Sequence, residues 1–222
     1  MALLKATGII KAYNTLQVLK GIDLEIQPEE IISIVGASGA GKSTLLHVLG
    51  LLDSPDKGMV QLNGTDIQKL GAIEKARFRN KQIGFVFQFH NLLPEFTALE
   101  NVCIPGYIKG DDKLEVERKG REILKTLGLS SRDQHNPSQL SGGEQQRVAV
   151  ARALINKPAI VFADEPSGNL DSKNAKSLHD IFFSLRDTTG QTFVIVTHND
   201  ELADMADRQL IIEDGQILPK PR

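Results

Sequence analysis

Hydrophobic and polar residues alternate in two early stretches of the chain, residues 21–26 and 59–62. A period of two is typical of a strand with one buried face. The second stretch runs into the dipeptide Asn63-Gly64, which is among the strongest hairpin signals a sequence can carry. We therefore predict antiparallel β structure in the first third of the chain.

Buried strands alternate with amphipathic helices elsewhere. The apolar run Ile31–Val35 ends in glycines, and leucine and valine then recur at helical spacing from Leu45 to Leu52. Two more apolar runs, 159–163 and 193–196, flank a helical stripe that begins at Ala175 and ends at Leu185. Apolar strands separated by helices predict a parallel sheet covered on both faces.

The middle of the chain has a different character. After about residue 90 the apolar residues follow helical spacing among many charges, and Gly128 closes the most amphipathic stretch. The apolar positions of this stretch are Leu114, Val116, Ile123, Leu124 and Leu127. We predict one α/β domain over residues 1–222, with a core of about 1–87 and 155–222 and a helical subdomain of about 88–154. No further domain is expected after the turn at Asp214-Gly215.

Composition and charge exclude some classes of function. Lys and Arg together number 26, and Asp and Glu together number 28. The resulting net charge of −2 lacks the excess of positive charge that is typical of a nucleic-acid-binding domain. No apolar run approaches the roughly 20 residues that cross a bilayer, and the N-terminus has no pattern of a secretory signal. The single Cys103 is expected to pack in the core of a protein that stays in the cytosol.

A nucleotide-binding motif follows the run Ile31–Val35. Its pattern is G-x-x-x-x-G-K-[ST], in which backbone N–H groups surround phosphate oxygens, the lysine neutralises phosphate charge and the serine can ligate Mg²⁺. The alternative is a glycine-rich turn that only connects strand to helix, and the lysine-serine pair between such flanks argues against it. The residues expected to bind nucleotide are Gly36, Ala37, Ser38, Gly39, Ala40, Gly41, Lys42, Ser43 and Thr44.

Two acids, Asp164 and Glu165, follow the apolar run 159–163. Ligands of parallel sheets bind at the carboxyl ends of the strands, so both carboxylates are expected at the nucleotide site. Asp164 is suited to the hydration shell of Mg²⁺, and Glu165 to polarising the attacking water as a general base. Without the phosphate-binding motif, an acidic N-cap of the next helix would be an equal alternative.

A third motif, residues 140–146, reads L-S-G-G-E-Q-Q and opens a predicted helix that ends before Pro158. Ser141 and Glu144 have the spacing of a capping box, so the stretch is at least a well-capped helix start. Two glycines there also leave N–H groups and a positive dipole end exposed, which suits contact with a γ-phosphate. The two readings are compatible.

These motifs resemble those of ABC transporter ATP-binding subunits, and they occur in that family's order over nearly the whole chain. Gln88, after the run Ile83–Phe87, resembles the Q-loop glutamine, which would reach Mg²⁺ and sense the γ-phosphate. Residues 167–171 resemble the D-loop, and His198 resembles the switch histidine that holds the γ-phosphate. Tyr13 resembles the aromatic residue that stacks on adenine, the alternative being a core position in an N-terminal strand.

The resemblance implies a fold and an assembly. The fold would be a P-loop NTPase with a RecA-like core, an antiparallel β edge and an inserted helical subdomain. Two chains would form a head-to-tail homodimer around two ATP molecules, each held between one phosphate loop and the partner's Ser141, Gly143 and Glu144. The implied catalytic residues are Glu165 and His198, and the implied Mg²⁺ ligands are Ser43, Gln88 and Asp164.

A narrower resemblance rests on residues 87–102 and 165–171. These two stretches are similar to the corresponding stretches of the ABC subgroup that contains the ATPases of lipoprotein release, the MacB ATPase domain and FtsE. This implies an ATPase at the cytoplasmic face of the inner membrane that energises integral membrane subunits, with lipoprotein release as the nearest function. An FtsE-type regulator and a MacB-like efflux ATPase stay open as alternatives. Ser167 and Asn199 depart from the subgroup, in which Thr and Asp are more usual.

The segment after Gln88 contains the expected docking site for the membrane subunits. Thr97 and Glu100 have the spacing of a capping box. Just before them, Leu92, Leu93 and Phe96 can form an apolar docking surface. The alternative is that these side chains pack inside the helical subdomain.

Overall fold

The computed structural model describes residues 1–218 and confirms the predicted α/β class. Ten strands and seven α-helices lie along these residues, with single-turn 3₁₀ helices at Ile67–Lys69 and Pro137–Gln139. The strands are β1 (Leu4–Tyr13), β2 (Leu16–Ile26), β3 (Ile31–Val35), β4 (Lys57–Leu62), β5 (Thr65–Asp66), β6 (Ile83–Phe87), β7 (Ile160–Asp164), β8 (Thr192–Val196), β9 (Arg208–Glu213) and β10 (Gln216–Leu218). The helices are α1 (Lys42–Leu49), α2 (Ala72–Gln82), α3 (Ala98–Lys109), α4 (Lys113–Thr126), α5 (Gly142–Leu154), α6 (Ser172–Thr189) and α7 (Asp200–Met205).

A six-stranded sheet forms the centre, in the order β10-β9-β3-β8-β7-β6. Strands β9, β3, β8, β7 and β6 run parallel, and β10 pairs with β9 in the antiparallel sense. β8 is buried along its whole length, as expected of a parallel strand covered on both faces. The predicted parallel sheet is therefore confirmed.

The predicted antiparallel structure is a second sheet, in the order β2-β1-β4-β5. Asn63 and Gly64 join β4 to β5 with φ angles of 50° and 74°. Positive φ at both central residues is what a two-residue type I′ hairpin requires, which is why this dipeptide marked the turn. Buried side chains of this sheet share one hydrophobic cluster with α1 and one face of the parallel sheet.

Helices α3, α4, α5 and α6 contribute to a second cluster on the opposite face of the parallel sheet. Cys103 is buried in it, as predicted, and burial raises the pKa of its thiol to about 11. Two leucines differ from their predicted environments, Leu114 in its burial and Leu52 in its place in a helix. Leu114 is 76% exposed because it lies on the solvent side of the first turn of α4. Leu52 falls outside α1, which ends at Leu49.

The polar residues of interest lie at the carboxyl edge of the parallel sheet. Gly36 follows β3, Gln88 follows β6, Asp164 ends β7, and His198 follows β8 by two residues. The register pairs Asp164 with Phe87 on one side and with Val196 on the other, so the strands end at the same level. This edge is where open α/β sheets bind ligands.

Candidate active site

The predicted phosphate-binding motif, residues 36–43, consists of the loop between β3 and α1 and the first two residues of α1. We call these residues the phosphate loop, and their backbone depends on glycines. Gly36 has a φ of 148°, and a side chain there would overlap the carbonyl oxygen of Ile212. Gly41 has a φ of 104° and precedes Lys42, the first residue of α1. Because the first N–H groups of a helix have no partner within it, they are available to an anion in this loop.

Lys42 lies within the phosphate loop. Its Nζ donates hydrogen bonds to the carbonyl oxygens of Gly36 and Ala37, at 2.9 and 3.0 Å. Ala40 is buried and packs in the hydrophobic cluster shared by α1 and the antiparallel sheet, so its side chain anchors the loop to the core. Ala37, Ser38, Gly39 and Ser43 are exposed, and Thr44 is half-buried.

Ser43 and Asp164 are joined directly. The Oγ atom of Ser43 donates to Oδ1 of Asp164 at 3.1 Å. Hydroxyl and carboxylate oxygens are hard ligands that suit Mg²⁺, which usually takes few ligands from the protein and the rest from phosphate and water. Residues 1–218 contain no cluster of three or more His, Cys, Asp or Glu side chains that could hold a metal. His47, which the sequence did not suggest, places Nε2 4.0 Å from Oδ2 of Asp164.

Glu165 lies beside His198. The Glu165 backbone has a φ of 46°, which is unusual for a residue other than glycine. Its Oε2 atom lies 2.6 Å from Nδ1 of His198 and accepts a hydrogen bond from the His198 backbone N–H at 3.3 Å. The structure thus brings these two residues together at the sheet edge.

Gln88 contacts the loop between β7 and α6, residues 165–171, which we call the β7–α6 loop. Its Nε2 donates to Oδ1 of Asn169 at 3.2 Å, and Nδ2 of Asn169 donates to the Gln88 carbonyl at 3.2 Å. A side chain at Gly168 would meet Nε2 of Gln88 at 2.9 Å, so the Gln88 side chain packs closely against the Gly168 backbone. The two hydrogen bonds between Gln88 and Asn169 link Gln88 to the loop that begins with Glu165.

Residues 141–144 form the predicted capping box at the start of α5. The Ser141 hydroxyl accepts from the Glu144 N–H, and Oε2 of Glu144 accepts from the Ser141 N–H at 2.8 Å. Arg132 Nε donates to Glu144 Oε1 at 2.8 Å, and this bond with the Ser141 bonds lowers the pKa of Glu144 to about 2. Gly143 is buried, and a side chain there would collide with Asn174 in α6. Gly142 is exposed, and a side chain there would only touch Leu170.

Tyr13 is 46% exposed at the end of β1, which excludes a core position. Its hydroxyl donates to Oδ2 of Asp53 at 2.7 Å, and this bond raises the pKa of Tyr13. Lys11 Nζ donates to the other oxygen of Asp53 at 2.8 Å and lies 5.1 Å from the centre of the Tyr13 ring. No local sequence pattern points to Asp53, because that residue meets Tyr13 only in the folded chain.

The loop between β6 and α3, residues 88–97, is held by residues that sequence reasoning missed. In α5, Gln146 donates to the Phe87 carbonyl at 3.1 Å, and Arg152 donates to the His90 and Asn91 carbonyls at 2.8 and 2.7 Å. The only sequence signal is that Gln146 and Arg152 are polar residues flanking an apolar run. The β6–α3 loop is thereby attached to the helix that begins at residues 141–144.

Comparison with known proteins identifies relatives of the chain. Residues 19–168 match the ABC transporter family. The chain is 59% identical over 216 residues to the lipoprotein-releasing system ATP-binding protein LolD of Cytophaga hutchinsonii, covering 97% of this chain and 99% of that protein. It is also 59% identical over 211 residues to LolD of Bacteroides fragilis, covering 95% and 98% of the two chains.

A solved structure has the same fold. It is the dimeric structure of the ATP-binding cassette MJ0796 in a post-hydrolysis state, bound to ADP and Pi. The two chains are 38% identical, each is covered to 97%, and the TM-score is 0.89.

Proposed function

The chain belongs to the ABC transporter family, and on that premise we propose that it is the ATP-hydrolysing subunit of a transporter that releases lipoproteins from the inner membrane toward the outer membrane. The observation that carries the proposal is the near full-length similarity to ATP-binding proteins named for lipoprotein release. An FtsE-type regulator and a MacB-like efflux ATPase use related subunits, and the experiments below distinguish them by their membrane partners.

The residues at the sheet edge have the chemistry that ATP hydrolysis needs. The phosphate loop and Lys42 would bind the phosphates, and Tyr13 would stack on adenine. Glu165 would accept a proton from the attacking water, and His198 would contact the γ-phosphate.

Mg²⁺ fits the oxygen donors of Ser43 and Asp164, and Gln88 follows β6, the strand that pairs with β7. When bound, it would neutralise charge on the phosphate oxygens.

The α5 start would complete the site of a second copy. Head-to-tail pairing of two chains would place Ser141, Gly143 and Glu144 against the ATP held by the partner's phosphate loop. The exposure of Gly142 and the capped start of α5 support this, because a capped helix start with an open glycine leaves N–H groups accessible to a phosphate.

A groove of about 490 Å³ beside the β6–α3 loop is the proposed docking site for a LolC- or LolE-like membrane subunit. It lies between α2, β6, α3 and α5, and its lining residues include Leu52, Arg79, Phe85, Phe87, Ile108 and Arg152. Next to it, Phe89 is 69% exposed and Leu93 and Phe96 are also exposed. Leu92 instead packs against the core cluster, so the docking surface is Phe89, Leu93 and Phe96.

Membrane attachment would come through these subunits. No helix within residues 1–218 is both long and apolar enough to span a bilayer. We place the chain peripherally at the cytoplasmic face of the inner membrane because it is similar to ATP-binding proteins of a lipoprotein-releasing system.

A pull-down tests the docking surface. Replacing Phe89, Leu93 and Phe96 by serine should leave the chain folded and able to bind ATP, because these side chains are exposed, but should abolish capture of the LolC- and LolE-like pair. The matched control replaces Leu16 and Leu114, which are more exposed than Leu93 and Phe96 but lie on β2 and α4. Capture of the pair by the triple variant would place docking elsewhere.

Reconstitution tests the transported cargo. The chain and the LolC- and LolE-like pair in proteoliposomes should release an embedded lipoprotein to a soluble acceptor when ATP is added. A complex that hydrolyses ATP and releases none would exclude lipoprotein release and favour an FtsE-type or MacB-like role.

A further inference from the structure

His179 is a buried polar residue with no role in the proposed mechanism. It lies on α6, is 1% exposed, and shares its helix face with Leu178 and Phe182. Its Nε2 atom lies 3.1 Å from Oγ of Ser167. Its Nδ1 atom has no hydrogen-bond partner among residues 1–218. Within the part of the chain that the structure describes, the imidazole therefore makes one polar contact, and that contact is to the β7–α6 loop.

The surroundings of His179 determine its protonation. Burial lowers the pKa of its ring, against the smaller opposing effect of Glu201 and Asp180, so the ring is neutral near pH 7. A neutral ring has one N–H, and a buried donor without a partner is costly. The proton is therefore best placed on Nε2, where it donates to Ser167, leaving a lone pair on Nδ1.

Ser167 is the buried anchor of the β7–α6 loop. It is 9% exposed, while Gly168 and Asn169 lie against Gln88. Two backbone hydrogen bonds connect Ser167 to the rest of the loop. The Gly168 N–H donates to the Glu165 carbonyl across Ser167, and the Leu170 N–H donates to the carbonyl of Ser167 itself. A shift of Ser167 would therefore move Glu165 at one end of the loop and Asn169 in its middle.

We propose that His179 is a positioning residue for ATP hydrolysis: through its bond to Ser167 it holds the β7–α6 loop so that Glu165 faces His198 and Asn169 faces Gln88. This inference rests on the proposed role of Glu165 as the general base. His179 touches no reacting atom, and it acts only through Ser167.

A pair of substitutions separates positioning from packing. His179→Leu removes the hydrogen bond but fills the apolar site. In His179→Gln, the side-chain amide can place an N–H near the position of the histidine Nε2. Steady-state ATP hydrolysis is measured on the full chain reconstituted with its membrane subunits. We expect kcat to fall about tenfold in His179→Leu with KM nearly unchanged, since one lost hydrogen bond corresponds to about that factor. His179→Gln should restore most of the rate.

A double-mutant cycle tests the route through Ser167. Ser167→Ala should lower kcat as much as His179→Leu, and the double variant should show no further loss, because both remove the same bond. Additive losses, or unchanged kcat in His179→Leu, would overturn the proposal. As a packing control, Leu178→Val on the same helix should lower the melting temperature without changing kcat.

A second control separates this inference from the proposed function. Glu165→Gln is assayed in the same membranes. A native rate in Glu165→Gln would refute the assignment of the base, whereas a slow Glu165→Gln together with a native rate in His179→Leu refutes only the positioning role.

Discussion

Oε2 of Glu165 lies 2.6 Å from Nδ1 of His198, and the same oxygen accepts the His198 backbone N–H. The two residues follow neighbouring strands, β7 and β8, whose register pairs Asp164 with Val196. The candidate base and the candidate γ-phosphate sensor are thus in contact through one carboxylate oxygen. Movement of His198 toward a phosphate would release that oxygen for the attacking water.

Replacing Glu165 by Gln should separate binding from hydrolysis. The amide keeps the shape and can still contact His198, but it cannot accept a proton, so we expect hydrolysis to slow by about 10²–10⁴ with ATP binding retained. ATP-bound dimers should then persist in size-exclusion chromatography with Mg²⁺. A native hydrolysis rate would show that Glu165 is not the base.

Replacing Lys42 by Ala should remove most of the stabilisation by nucleotide. A ligand at about 100 times its dissociation constant adds roughly 2.7 kcal/mol to the folded state, so ATP with Mg²⁺ should raise the melting temperature of the native chain. The bonds of Lys42 to Gly36 and Ala37 stay within the loop, so the variant should melt near the native temperature without ATP. An equal ATP shift in both chains would place the nucleotide outside the phosphate loop.

The phosphate loop and the sheet edge could be predicted from the sequence because their signals are local. Glycines before Lys42, and acids directly after an apolar run, specify backbone geometry and strand ends within a few residues. The capping boxes at Thr97 and Ser141 were predicted for the same reason, and the structure confirms both.

The supporting residues could not be predicted, because their partners are distant in sequence. Asp53 meets Tyr13 across 40 positions, and Arg152 meets the β6–α3 loop across about 60. Each is a polar residue that finds its hydrogen-bond partner only when two distant elements pack together. Antiparallel strands were predicted in the first third of the chain, but the pairing of β1 with β4 was not, since it is set by the fold and not by either strand alone.

The stability contributed by Glu144 should depend on pH. Its pKa is lowered to about 2 in the folded chain. A lowered carboxyl pKa contributes stability that is fully present above the unfolded value of about 4.5 and is lost as the pH falls toward the folded value. The shift corresponds to at most about 3 kcal/mol, and solvent around the half-exposed Arg132 should reduce this to about 1–2 kcal/mol.

Urea unfolding at pH 6 and pH 3.5 measures this contribution. Glu144→Gln keeps a capping oxygen but no charge, so it should be less stable than the native chain at pH 6 and closer to it at pH 3.5. A stability difference that does not change with pH would show that the charge of Glu144 contributes nothing.

The two glycines at the start of α5 should respond differently to alanine. A side chain at Gly143 would press on Asn174, so Gly143→Ala should destabilise the chain by about 1 kcal/mol or more. A side chain at Gly142 would make only an ordinary contact with Leu170, so Gly142→Ala should leave the free energy of unfolding unchanged or raise it slightly. If Gly142 faces the partner's ATP, Gly142→Ala should still weaken ATP-dependent dimers. Normal dimers in Gly142→Ala would show that this glycine has no role between chains.

Asn101 fixes the shape of the β6–α3 loop. It is fully buried in α3, and its Oδ1 accepts from the Leu93 N–H at 2.8 Å. The two N–H groups of its Nδ2 are shared among the carbonyl oxygens of Leu93, Phe96 and Thr97, each 3.0 Å away. Asn101→Ala should lower the free energy of unfolding by about 2–4 kcal/mol, because the hydrogen bonds of a fully buried side chain to several part-buried backbone groups are lost. Capture of the membrane pair should weaken as well, since Leu93 and Phe96 would no longer be held in place.

Asn101→Asp has nearly the same shape, yet it should be worse than Asn101→Ala at pH 8. An ionised carboxylate would face three carbonyl oxygens without solvent, which raises its pKa and favours the unfolded chain, where it is hydrated. As the pH falls through that raised pKa, the protonated acid can donate one bond, so the stability gap to native Asn should narrow. Urea unfolding of both variants from pH 8 to pH 5 measures this order, with Gln134→Ala on the surface as a control expected within about 0.5 kcal/mol of native. If Asn101→Asp matches the native chain at pH 8, the donor bonds to the loop carbonyls are not what stabilises it.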